Sequence, residues 1–180
     1  MLFRLFRRDP RADTISALYG AIVAQARRES FYLGFGVPDT VEGRFDMIVL
    51  HLALFCRRLT RESGPVHALG QDVFDLFCRD MDHNLREMGV GDLSVPRKMQ
   101  GFAEAFYGRV EAYDRALAGA GDELAAALAR NVLGESSLSP GSRRLAAYAR
   151  AATGMLDRAD ASAFARGHLV FPDPDTISAT

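Results

Sequence analysis

The sequence predicts an all-α, single-domain bundle of six to seven helices with a long central helical hairpin. Three observations predict it. Apolar residues recur at the i, i+3, i+4, i+7 spacing of an amphipathic helix along most of the chain. No pair of alternating segments is joined by hairpin chemistry, and no repeat of fixed period suggests a solenoid. The 180 residues are about the length of one domain. Their 48% apolar and 25% charged content excludes a disordered chain.

Ile15, Leu18, Tyr19, Ile22, Val23 and Ala26 define a first core helix. FYLGFGVPDT breaks it. Asp39, with Glu42 three residues on, reads as a capping box for a second helix carrying Phe45, Ile48, Leu52, Phe55 and Leu59. Met47, Val49, Leu50 and Leu54 widen its apolar face until it is expected at the centre of the bundle. A third helix runs from Pro65 to a glycine stop at Gly89, with Phe74, Phe77, Met81, Leu85 and Met88 as its stripe. Ser94 is the expected N-cap of a fourth, on which Val95, Met99, Phe102, Phe106, Val110, Tyr113 and Leu117 share an arc of about 100°. Two further helices are expected at Asp122–Leu133 and Ser142–Leu156, and a short one around Phe164. Residues 1–11 form an amphipathic basic arm, 12–168 the helical domain, and 169–180 a flexible tail interrupted by Pro172 and Pro174.

The 22 basic and 23 acidic residues give a net charge of −1, too small to draw nucleic acid to the surface as a whole. No basic recognition helix is present either, so a sequence-specific nucleic-acid binder is not expected. Two cysteines, Cys56 and Cys78, make no disulfide framework and point to a reducing compartment. No apolar run reaches membrane-spanning length, and MLFRLFRRDP lacks the long apolar centre of a secretion signal. The mature chain is expected to begin there, in the cytoplasm.

Enzyme signatures are absent: there is no G-x-S-x-G elbow, phosphate-binding G-x-x-x-x-G-K-[ST] loop or H-E-x-x-H pair. Asp80, His83 and Glu87, along one helix edge, are the one candidate for a metal- or ligand-binding enzyme. The alternative there is a solvated face with intrahelical pairs. His51, on an apolar helix, reads as a satisfied core histidine. No metal and no cofactor is expected.

Two patterns suggest binding. Wound as a helix, the arm places Leu2, Phe3, Leu5 and Phe6 on one arc and Arg4, Arg7 and Arg8 on the other, the pattern of a weak membrane-surface contact. On the fourth helix Gly101, Ala105, Gly108 and Ala112 form a narrow strip of small residues edged by Lys98 and Arg109 on one side and Arg97 and Arg115 on the other. Such a strip lets another helix approach closely, either from the same domain or from a bound client.

The stretch CRDMDHNLREMGVGDLSVPRKMQGFAEAFYGRVEAYD, with RFDMIVLHLALFCRRL upstream, resembles the ubiquinol-cytochrome c chaperone family. Asp80-Met81-Asp82, Leu85-Arg86-Glu87, Gly89-Val90-Gly91-Asp92, Val95, Lys98-Met99 and Tyr107-Gly108-Arg109 carry the resemblance. It implies a non-enzymatic, all-helical assembly chaperone whose client is newly made cytochrome b. It also implies peripheral contact with the inner membrane and, for the mitochondrial members, a small co-chaperone and the ribosome as further partners. The expected partner-binding residues are Asp80, Asp82, Arg86, Glu87, Gly89, Gly91, Asp92, Lys98, Gly101, Ala105, Tyr107, Gly108 and Arg109. Asp82, Lys98, Tyr107 and Arg109 are expected to form one contiguous patch. Asp92 and Ser94 are expected to cap the fourth helix.

Overall fold

A computed structural model describes residues 9–178. Helices α1 (Pro10–Ala26), α2 (Glu29–Gly34), α3 (Val41–Leu59), α4 (Gly64–Glu87), α5 (Val95–Ala118), α6 (Glu123–Leu128), α7 (Pro140–Arg158) and α8 (Ala161–Ala165) follow in order. A π-helical turn, Ala129–Leu133, continues α6, and a 3₁₀ turn, Pro174–Thr176, lies near the end. There is no strand among the described residues, and the protein is all-α.

The bundle is organised around α3, which packs against α1, α4, α5 and α7. Every residue from Met47 to Phe55 is buried, so this helix is enclosed on all sides, as its all-round apolar sequence predicts. Its start differs from expectation. Thr40, not Asp39, is the N-cap, its hydroxyl accepting from the Gly43 amide at 3.1 Å. Asp39 instead accepts from Arg44 at 2.6 Å. A side chain at Gly43 would meet the Pro38 carbonyl oxygen at 2.1 Å, so only glycine allows the chain to fold back here.

Inside the bundle the one fully buried histidine, His51, is satisfied on both ring nitrogens. Nδ1 lies 2.7 Å from the Met47 carbonyl oxygen, which has no proton to give, so Nδ1 carries the hydrogen. Nε2 therefore accepts from the Tyr148 hydroxyl at 2.7 Å. Gln25 donates to that hydroxyl at 3.0 Å and to the Pro172 carbonyl at 2.9 Å. One polar chain thus joins α1, α3, α7 and the C-terminal segment.

That segment corrects the expectation of a flexible tail. Leu169 and Phe171 are buried, and Phe171 stands edge-on to His51 with ring centres 5.0 Å apart. Arg28 binds Asp173 at 2.7 Å and Arg144 donates to the Ile177 carbonyl at 3.0 Å. Pro172 and Pro174 keep a regular α-helix from running through the segment, with Pro174 opening the 3₁₀ turn, but they do not prevent packing. At the other end α1 begins at Pro10, capped by Asp9, so helix extends into the stretch assigned to the arm. FYLGFGVPDT also holds the short helix α2 rather than only a break.

Candidate protein-docking site

The α4–α5 hairpin carries the family-like residues, and its turn explains most of them. Gly89 has φ +81°, the left-handed conformation that ends α4. The Gly89 and Val90 amides donate to the Arg86 and Leu85 carbonyls, each at 3.0 Å. Arg86 then bridges the turn, donating to Asp82 at 2.7 Å and to Asp92. That bond holds the Asp82 carboxyl below the usual carboxylate range. Asp92 is therefore engaged by Arg86, and Ser94, although at the N-cap position, makes no side-chain capping bond. This corrects the expected capping roles of both. Gly91 keeps an ordinary negative φ.

The acidic face of α4 is largely answered within the chain. Asp72 pairs with Arg11, and Asp75 accepts from the Gln71 amide at 2.7 Å. Asp80 accepts from the Tyr19 hydroxyl at 2.8 Å, hooking α4 onto α1. Burial, then the bond to Asp80, pushes the Tyr19 hydroxyl pKa up. Glu87 lies 3.2 Å from His83 Nε2. Asp80 thus turns to α1 while His83 and Glu87 face each other, and the three do not converge. Among the described residues no group of three or more His, Cys, Asp or Glu is placed to hold a metal ion.

The expected patch of Asp82, Lys98, Tyr107 and Arg109 is not assembled. At 100° per residue Lys98 and Arg109 lie about 20° apart on α5, whereas Tyr107 lies roughly 160–180° from both. Tyr107 packs on Phe74 of α4, ring centres 5.6 Å apart, while Arg109 binds Asp46 of α3 on the other flank. Desolvation of that partly buried pair raises the Asp46 pKa, outweighing the lowering by Arg109. Because α5 packs against both α3 and α4, Tyr107 and Arg109 are sent to opposite flanks.

The small-residue strip does come together, and it faces outward. Gly101, Ala105 and Gly108 are exposed and Ala112 is partly so. A Cβ at Gly101 or Gly108 would meet no atom within 4 Å, so among the described residues no helix packs there. The intradomain alternative is thereby corrected. Lys98 and Arg97, both exposed, make no ion pair among the described residues. Leu2, Phe3, Arg4, Leu5, Phe6, Arg7 and Arg8, expected at a membrane surface, lie outside the described residues. Among the described residues no helix is long and apolar enough to cross a membrane.

Two surface features were not legible beforehand. At the hairpin tip Leu93 is 97% and Met88 71% exposed, although the helical period places Met88 on the core stripe. Between the end of α3, the first half of α4 and the middle of α5 lies an open groove of about 350 Å³, its lining including Phe74, Phe106, Tyr107, Val110 and Arg57. Its lining comes from three helices, so no single periodic pattern announces it. Cys56 borders it, and burial pushes its thiol pKa up to about 12.

The Cbp3 homolog from Brucella abortus, known from a crystal structure, is similar over 99% of this chain and 100% of its own, at 39% identity and a TM-score of 0.86. Ubiquinol-cytochrome-c reductase complex assembly factor 1 of Xenopus laevis is 24% identical over 79% of this chain and 72% of its own length. The Mus musculus protein of the same name is 25% identical over 68% of this chain and 42% of its own. The family model for the ubiquinol-cytochrome C chaperone matches residues 33–171, most of the helical body described above. The chain belongs to the ubiquinol-cytochrome C chaperone family.

Proposed function

We propose that this protein is an assembly chaperone of the ubiquinol-cytochrome c reductase complex that binds newly made cytochrome b, and that it works by holding its client without catalysis. Membership of the family, over most of the chain, carries the reading. Its partners are a membrane-protein client and the inner-membrane surface where that client is met, with a small co-chaperone or the ribosome as further contacts.

The client-docking surface is the solvent face of α5: Gly101, Ala105 and Gly108, with Lys98 at the rim. Two glycines on the exposed face of a helix each lower its stability by about 1 kcal/mol relative to alanine, and neither relieves a contact with the described residues. A close-approaching client helix supplies the reason for them. Asp80, Asp82, Arg86, Gly89 and Asp92 serve this surface indirectly, by fixing the hairpin that presents it. Arg109 lies on the same edge of the strip as Lys98 but is bound to Asp46, while Glu87, Gly91 and Tyr107 lie on other parts of the hairpin.

The test is recovery of nascent cytochrome b by the wild-type chain and by Gly108→Leu. The substitution enters open space, so the fold is unaffected and client recovery is expected to fall. Equal recovery removes α5 as the docking face. A deletion strain with normal content of the reductase complex removes the assembly function itself.

A further inference from the structure

The end of the α4–α5 hairpin stands out from the bundle. Between Asp82 and Ala105, Val95 alone is buried among the described residues. At the apex the Ser94 amide donates to the Gly91 carbonyl at 2.8 Å. This tight turn holds Leu93 outward, 97% exposed, with Met88, 71% exposed, at the end of α4. The acids here have partners: Arg86 donates to both Asp82 and Asp92, and Glu87 lies 3.2 Å from His83 Nε2. Arg97 and Lys98, in the first turn of α5, are exposed and make no ion pair among the described residues. Three acids and three cations between Asp82 and Lys98 cancel formally, His83 counted neutral. Attraction for an anionic partner is therefore local to the two unpaired cations and not a field of the whole tip.

We infer that this tip is a contact site for an anionic lipid surface, with Met88 and Leu93 entering the headgroup layer and Arg97 and Lys98 meeting lipid phosphates. Its shape favours lipid over protein. A protruding leucine needs a matching cavity in a protein partner, whereas a headgroup layer yields to a convex tip. Leu93 has almost no contact with the described residues, so its apolar side chain contributes nothing to their packing.

The contact also gives the α5 strip an order. With α5 upright on the membrane, Lys98 stands at the lipid, and Gly101, Ala105 and Gly108 follow at about 5, 10 and 15 Å along the helix. A client helix leaving the bilayer then meets the strip just behind the headgroups. The site rests on the membrane contact proposed above and not on the identity of the client.

The probes are phosphatidylcholine vesicles with and without phosphatidylglycerol, mixed with the full chain and separated by flotation. Binding is expected on the anionic vesicles and only weakly on the neutral ones. Arg97→Gln with Lys98→Gln is expected to lower anionic binding about 25-fold, about fivefold per cation. Met88→Ser with Leu93→Ser is expected to lower it about tenfold or more. All four side chains are exposed, so far-UV helicity and the urea midpoint stay unchanged. The chain contains no tryptophan, so Leu93→Trp adds a sole reporter. Its emission is expected to move to shorter wavelength on anionic vesicles and to be quenched by brominated lipid. Vesicle binding that both double variants leave unchanged overturns the tip as the contact, while the membrane reading stands. Absence of binding by the wild-type chain overturns the tip and the membrane contact together and leaves client capture untouched. A shift that appears without vesicles and grows with protein concentration overturns lipid in favour of a second copy as occupant.

Discussion

Mild acid should destabilise this protein through one buried residue, His51. Its ring is fully buried, and burial lowers its pKa from the ordinary 6.5 to about 4, opposed by the bond to the Met47 carbonyl. The folded state therefore holds the ring neutral where the unfolded chain already protonates it. For a depressed pKa on a basic group, the stabilisation is complete above the unfolded value and is lost as pH falls from 6.5 towards 4. Each pKa unit corresponds to 1.36 kcal/mol, so the loss at pH 5 relative to pH 7.5 is about 2 kcal/mol, approaching about 3 kcal/mol below pH 4. The assay is urea denaturation at both pH values for the wild type and His51→Gln, which does not titrate yet keeps a donor and an acceptor. The wild type should lose about 2 kcal/mol more than the variant between pH 7.5 and pH 5. Equal losses in the two proteins would refute the assignment of a neutral buried ring.

Two other substitutions test the packing. Gly43→Ala drives a methyl group into the Pro38 carbonyl and should cost about 3 kcal/mol, read as a lower urea midpoint at unchanged m-value. Arg58 is buried, donating to the Leu156 carbonyl at 2.9 Å, the Ala159 carbonyl at 3.2 Å and Glu62 at 2.6 Å. Arg58→Ala strands these acceptors at the end of α7 and should destabilise by about 3 kcal/mol in the same titration.

Much of the fold was written in local pattern. The stripe from Val95 to Leu117 became the core face of α5, and the all-round apolar run from Met47 to Phe55 became the enclosed centre. Both follow from a 3.6-residue period that survives in any packing. Cap identity was less legible, because Asp39 and Thr40 are both good N-caps and the neighbouring Arg44 decides between them by claiming the carboxylate. The tail from Leu169 to Ile177 carries no period at all; its order comes from contacts with Gln25, Arg28 and Arg144, each more than 30 residues along the chain from the tail residue it binds.

For the candidate site the division is sharper. The sequence alone determined that α5 has one bulky face and one small-residue strip, and that a glycine turn joins it to α4, since spacing and backbone permission are properties of neighbours along the chain. Only the tertiary structure decided which side of each helix a neighbour covers. It buried Phe106, left Gly108 open to solvent, turned Asp80 towards Tyr19, and sent Tyr107 and Arg109 to opposite flanks. The physical reason is that a helix fixes the directions of its side chains about its own axis, whereas what each direction meets is set by where the other helices pack.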